Sequence, residues 1–174
     1  MKQHTVALAR GRAARSEERP YCAVVATPFA QVGFRTHNEG IVGVQYLPRH
    51  VPSIAPATAL AREARAQLEA YVRDPRRGFD LPCALESTGT AFQRAVWNAI
   101  ATIPNAGTRT YGELARDLGS SARAVGNACG SNPIPLIVPC HRVVAASGRL
   151  GGFMHSRSDF PLSIKRWLLA HEAR

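Results

Sequence analysis

The sequence predicts an α+β protein of two lobes: a small antiparallel sheet with a helix, then a helical lobe that contains a helix-turn-helix. Three observations carry this. Short β-rich runs separated by turn residues crowd positions 21–46, and helical periodicity takes over after Pro56. Two capping boxes, Thr90 with Gln93 and Thr110 with Glu113, open helices in the second half. A chain of 174 residues that is 45% hydrophobic has enough apolar material to bury such a core.

Residues 1–19 are basic and unpatterned and read as a disordered leader. The N-terminal lobe spans 20–86. Its β-rich runs fall at about 21–26, 30–36 and 40–46, punctuated by Pro28 and by "HNEG", the pattern of an antiparallel meander. In "PATALAREARAQLEAYVRDP", Leu60, Ala64, Leu68 and Tyr71 recur at spacings of three and four, so an amphipathic helix ends near Asp74-Pro75 and covers one face of the sheet. "FDLPCAL" (79–85) reads as a further strand, and "ESTG" (86–89) as the boundary to a second lobe over 87–174.

That lobe opens with Thr90 as N-cap. Phe92, Val96, Ala99, Ile100 and Ile103 line one helical face before Pro104 stops it. A second helix starts at Thr110 with Leu114 and Leu118 inward and Gly119 as its stop, and Ser121 caps a third. Two short helices joined by "GSS" make a helix-turn-helix. In the third helix Ala122, Val125 and Cys129 fall on the buried side, which leaves Arg123, Gly126, Asn127 and Gly130 outward. Each glycine costs about 1 kcal/mol in a helix, a cost that makes sense where a partner approaches the backbone closely. A face so poor in long side chains suits a shallow groove of nucleic acid with Arg123 projecting into it; close packing on another helix is the alternative.

Charge points the same way. Lys plus Arg number 22 against 12 Asp plus Glu, for a net +10 and a pI near 10.5. Two of the 22 are lysine, Lys2 and Lys165, and arginine favours bidentate contacts with phosphate. A GC-rich coding sequence would also enrich arginine. No run approaches the roughly 20 apolar residues of a membrane span, and the N-terminus lacks a signal-peptide core, so a cytoplasmic protein is expected. Cys22, Cys83, Cys129 and Cys140 are scattered without a C-x-x-C pair, which predicts reduced thiols and neither a disulfide framework nor a metal site.

One stretch asks for chemistry. "IVPCHRVVA" (137–145) places Cys140 beside His141 in an apolar setting. A thiol there can be inert packing, since free cysteine is among the most buried residue types, or a nucleophile. In an extended segment, neighbouring side chains point to opposite sides, so a proton would pass to His141 through water or after a backbone turn. A carboxylate is then wanted behind the histidine. Spacing alone leaves Glu113, Asp117, Asp159 and Glu172 open.

Four stretches in order, "GTAFQRAVWNAIATIPNAGTRTYGELARDLG", "ARAVGNACGSNP", "IPLIVPCHRVV" and "IKRWLLAHE", resemble the O6-alkylguanine-DNA alkyltransferases, or methylated-DNA-protein-cysteine methyltransferases. The resemblance is dense over 88–172 and loose over the N-terminal lobe, which looks like the family's ribonuclease-H-like domain. It implies that Cys140 accepts an alkyl group from O6 of guanine, once and irreversibly, without a cofactor. It further implies that His141 relays the proton, that Glu172 orients His141, and that Asn132 is the hinge asparagine. Tyr111 would crowd the target phosphate and Arg123 would fill the space of a flipped base. Backbone carbonyls at Cys140 and Val143 would read the guanine amine. The partner implied is double-stranded DNA carrying O6-alkylguanine, with O4-alkylthymine as a further lesion, bound by a monomer. A helix-turn-helix regulator or damage sensor without transfer, and a cysteine hydrolase that turns over, remain as alternatives.

The sequence departs from the family in "GGFMHSRSDFPLSIK", where Phe153, Met154 and His155 replace a Tyr-x-Gly-Gly turn and the segment is about five residues longer. Phe153 is expected to line the pocket and His155 to be a solvated loop residue. The family's zinc-ligand pattern is not recognisable among Cys22, Cys83 and the histidines.

Overall fold

The computed structural model describes residues 21–38, 40–85 and 88–174; the leader expected over 1–19 and the lobe boundary at 86/87 lie outside the described residues. Strands β1 (Ala23–Ala26), β2 (Gln31–His37) and β3 (Gly40–Leu47) form an antiparallel meander in the order β1-β2-β3. Ala23 pairs with Phe34 and Gln31 with Leu47, and the second ladder shifts register between Arg35 and Thr36. Helix α1 (Ala59–Arg73) is capped by Thr58 and lies on β1 and β2 through Ala61, Ala64 and Leu68. The other side is covered too: Phe29 packs 4.6 Å from Trp167 and Tyr46 5.8 Å from Phe153, ring centre to ring centre. Cover on both sides is why the first four residues of β2 are buried in succession instead of alternating.

Segment 79–85 is not a strand. Only Cys83 bridges to Ile41, with two backbone bonds, Ile41 N–H to Pro82 O at 2.8 Å and Ala84 N–H to Ile41 O at 3.1 Å. Pro82 has no N–H to extend a ladder.

The second lobe comprises α2 (Ala91–Ala101), β4 (Arg109–Thr110), α3 (Tyr111–Asp117), α4 (Ala122–Gly130), a 3-10 turn at Cys140–Arg142, β5 (Val143–Val144) and α5 (Asp159–Glu172). Both capping boxes form, and Ser121 caps α4. Gly119, at φ +59°, supplies the left-handed turn between α3 and α4. The helix-turn-helix is fixed from behind by Trp97, whose buried indole N–H donates to Ala128 O at 2.8 Å. One inward residue differs from expectation: Ala122 is exposed and Ala128 takes its place in the core with Val125 and Cys129, because Ala122 sits in the first turn, before α4 reaches α2. The short parallel pair β4–β5, Arg109 with Val143 and Thr110 with Val144, ties the start of the helix-turn-helix to the segment that carries Cys140. No helix among the described residues is long and apolar enough to cross a membrane.

Candidate active site

Cys140 lies in a 3-10 turn, not in an extended segment, with Arg142 N–H bonded to Pro139 O at 2.9 Å. Pro139, which cannot donate a backbone hydrogen bond, precedes the turn. The turn takes the proline-flanked thiol, the imidazole and the guanidinium out of the strand alternation assumed from sequence. Cys140 and His141 are both buried, at 2% and 0% exposure.

Behind them, Glu172 at the end of α5 gathers three partners. His141 Nε2 lies 2.9 Å from Oε1, Arg142 Nε donates to Oε2 at 2.9 Å and Nη2 to Oε1 at 2.9 Å, and the Tyr71 hydroxyl donates to Oε1 at 2.9 Å. Of the acids left open by spacing, this is the one that meets the histidine. Burial alone would raise the Glu172 pKa, but the hydrogen bonds from His141 and Arg142 and the Arg142 charge outweigh it and hold the carboxyl at about 2. Burial pushes the His141 pKa down, so at neutral pH the ring is neutral. An ionised Glu172 can only accept, so Nε2 carries the proton and Nδ1 is left basic. That Nδ1 is buried with no hydrogen-bond partner among the described residues.

The front of Cys140 opens on a cavity of about 380 Å³ whose walls include Tyr111, Gly126, Cys129, Phe153 and His155. Burial raises the Cys140 thiol pKa; a hydrogen bond with the Asn132 side chain, the Lys165 charge and a backbone hydrogen bond oppose the rise. Asn132, itself buried, donates to Val138 O at 2.8 Å and accepts from Ile134 N–H at 3.1 Å, so one side chain ties the end of α4 to the loop before Cys140. Lys165 is buried beneath the cavity and donates to the carbonyls of Val143 and Leu150 at 2.6 Å and Gly152 at 3.2 Å. Desolvation brings its pKa down to about 8 against the pull of Cys140 and Cys129, which keeps it largely cationic at neutral pH.

The expected DNA-contact residues spread over this lobe. Tyr111 lines the cavity and donates to Gly152 O at 3.2 Å; Gly151, at φ +68°, is bare where a Cβ would meet the Tyr111 ring at 3.0 Å. Gly126 lines the cavity from α4, whereas Arg123 is exposed on the first turn of α4 and outside the cavity wall. Val143 is fully buried and also outside the wall, and its carbonyl is already bonded to Lys165, while the Cys140 carbonyl accepts the Val143 N–H. His155 is exposed but not free in solvent. Its ring lies where a Cβ on Gly130 would be 2.5 Å from Nδ1, and its Nε2 is 3.1 Å from Ser131 Oγ. Phe153 and Ser156 exchange two backbone bonds of 2.9 Å around Met154 and His155, both at positive φ, so the atypical segment closes as a tight two-residue turn on the α4 C-terminus. Among the described residues, no three His, Cys, Asp or Glu side chains converge as a metal site would require.

Sequence reasoning missed Tyr71 as a partner of Glu172, Cys129 as a cavity wall and Lys165 as a buried cation. Lys165 had a signal, since it is one of two lysines among 22 cations and stands in the apolar run "LSIKRWLL".

Fold and site together define a two-lobed α+β protein in which a helix-turn-helix lobe holds a buried thiol backed by an imidazole and a carboxylate. Residues 91–174 match the family model described as 6-O-methylguanine DNA methyltransferase, DNA binding domain. The chain is 39% identical over 159 residues to a methylated-DNA–protein-cysteine methyltransferase of Methanosarcina acetivorans, covering 87% of this chain and 97% of that protein. It is similar to the crystal structure of the Mycobacterium tuberculosis O6-methylguanine methyltransferase, with TM-score 0.72, 35% identity and coverage of 86% and 90%. The structure of the same organism's protein in complex with DNA matches at 37% identity, TM-score 0.72, and coverage of 86% and 91%. The chain belongs to the methylated-DNA–protein-cysteine methyltransferase family.

Proposed function

We propose that this protein repairs double-stranded DNA, as a cytoplasmic monomer, by moving the alkyl group from O6 of guanine to Cys140 in one irreversible step, with O4-alkylthymine as a further substrate. The observation that carries the reading is the buried Cys140 thiol at the base of a cavity, directly followed in the chain by a histidine whose outer nitrogen is held by Glu172. The thiol proton passes through water to His141 Nδ1. The thiolate attacks the alkyl carbon in line, the S–C bond forms as the C–O6 bond breaks, and the electron pair left on the guanine takes up a proton to restore the normal base. Lys165 lends its charge to the thiolate. The product thioether has no leaving path, so each chain reacts once. Residues 87–174 carry this chemistry and residues 20–86 support it.

Incubation with a duplex holding one O6-methylguanine tests this: the intact mass rises by one methyl group, the modified peptide is the one containing Cys140, and transfer stops at one per chain. Repeated turnover would indicate a hydrolase, and tight lesion binding without a mass change would indicate a damage sensor.

The target base reaches Cys140 only if it leaves the stack, and α4 is placed to assist. Its small outer face with Gly126 lies in the minor groove, Tyr111 crowds the rotated nucleotide, and Arg123 fills the space it vacates. Phosphate contacts dominate, so affinity for undamaged duplex falls steeply with salt. Arg123→Ala should slow repair of duplex by tenfold or more, the equivalent of roughly 1.4 kcal/mol, while reaction with free O6-benzylguanine stays near wild type. Equal losses on both substrates would remove the flipping role.

A further inference from the structure

We propose that Tyr71, on the N-terminal lobe, is a positioning residue for the transfer reaction, holding Glu172 in the orientation that keeps His141 a base; this rests on the alkyl-transfer reading. Tyr71 is 2% exposed and 101 residues from Glu172 in sequence, yet its hydroxyl donates to Glu172 Oε1 at 2.9 Å. The same oxygen accepts His141 Nε2–H, and the neighbouring residue of α5 grips the other end of the tyrosine, with His171 Nε2 donating to Tyr71 O at 2.9 Å. Tyr71 is therefore held by consecutive residues of α5, one at its backbone and one at its hydroxyl. An aromatic column extends the clamp: the His171 ring lies 5.3 Å from Tyr71 and 4.5 Å from Trp167, which meets Phe29 of the N-terminal lobe at 4.6 Å.

The reason a third donor matters is geometric. Arg142 pairs bidentately with Glu172, Nε with Oε2 and Nη2 with Oε1, a contact that by itself leaves the carboxylate free to hinge about the guanidinium. The Tyr71 hydroxyl approaches Oε1 from another element and favours the orientation in which that oxygen also meets His141. Burial and the Glu172 charge raise the Tyr71 pKa, so the hydroxyl stays protonated and always donates. The other charged or titratable groups that face His141 and Glu172 are Arg142 beside them, Lys165 of α5, Cys140, and Tyr46 of β3, whose buried hydroxyl has no partner among the described residues. None of these supplies a second donor to Oε1 apart from Arg142.

Tyr71→Phe removes only the hydroxyl and keeps the ring against His171 and Phe79, so it isolates this bond. With Glu172 less well placed, the His141 imidazolium is less supported and His141 becomes a weaker base. The single-turnover rate on O6-methylguanine duplex should fall roughly three- to tenfold near pH 7, the loss typical of one hydrogen bond, while the Kd for the duplex is unchanged. The pH at which the rate rises should move downward with the His141 pKa, and 15N resonances of the His141 ring should show the Nε2–H tautomer losing population. A variant with wild-type rate, pH profile and His141 spectrum overturns the proposal, as does a rate loss uniform over pH with an unaltered spectrum, which would mark Tyr71 as packing alone. The ring spectrum is read without substrate, so a wild-type protein that transferred no alkyl group would overturn the functional reading while this bond's effect on His141 was still measured.

Discussion

Cys140→Ala should abolish alkyl transfer outright while the folded protein and its duplex binding persist. The comparison matters because a second thiol, Cys129, lines the same cavity and is the obvious candidate to rescue the reaction. It should not. Burial pushes the Cys129 pKa up, and this cause persists when the Cys140 charge, which adds to the rise in the wild type, is removed, so little Cys129 thiolate forms at pH 7. Cys129 also sits near the end of α4, whereas the Nε2-held imidazole and Asn132 are arranged around the turn that carries Cys140. Removing one sulfur from a buried site costs on the order of 1–2 kcal/mol, well within what a domain tolerates. Intact mass after overnight incubation with O6-methylguanine duplex should show no adduct, and gel-shift affinity should stay within about twofold of wild type. An adduct on Cys129 in this variant would show that the cavity, rather than the relay behind Cys140, makes the nucleophile.

The helices of the second lobe were legible because their signals are local. Thr90 with Gln93 and Thr110 with Glu113 are capping boxes three residues apart, and both form with side chain and backbone reciprocally bonded. The β-meander was legible for the same reason, each run being bounded by its own turn residues. Segment 79–85 was misread because its apolar pattern is strand-like while its pairing is decided by Pro82, which cannot extend a ladder on β3. At the site, the Cys140–His141 pair was visible, but the 3-10 turn that places it was not, because an apolar run of this length reads equally as a strand. Glu172 emerged as one of four acids by spacing and was singled out only by the family resemblance; three-dimensional packing is what brings it to His141, 31 residues away. Tyr71 carried no sign beyond its place on the buried face of α1, since a contact over 101 residues leaves no periodicity to find. Met154 and His155 could not have been anticipated in a tight turn that normally takes glycine or asparagine. Their left-handed conformations are sustained by the contact of His155 with Gly130 and Ser131.

Glu172→Gln should be the most damaging change that keeps side-chain shape, in rate and in stability together. A neutral amide no longer offsets the charge of the Arg142 guanidinium, which is 14% exposed and keeps as acceptors Ile103 O at 2.7 Å, Asn105 Oδ1 at 3.4 Å and at most the one amide oxygen. Breaking a buried pair by removing one charge costs about 3–5 kcal/mol, or roughly 6–20 °C in Tm for a chain of this size. The amide can also present an N–H toward His141 and select the wrong tautomer, which turns Nδ1 from acceptor to donor. Loss of a positioned general base typically slows a reaction by a factor on the order of 10² to 10⁴. The pH dependence separates the charge from the shape. Glu172 has a folded-state pKa depressed to about 2, below the unfolded value of about 4.3, so its contribution is fully present above the unfolded value and is lost as pH falls through the folded one. Wild type and variant should therefore differ most in Tm at pH 6–7 and converge toward pH 2–3, where the native carboxylate finally takes up its proton. His141, whose pKa burial lowers, adds its own loss of stability in both proteins as pH drops below about 6.5, because the unfolded chain accepts a proton there that the folded one refuses. Calorimetric melting of both proteins from pH 3 to pH 7 measures the gap, and a gap independent of pH would mean that Glu172 stabilises this lobe by packing rather than by charge.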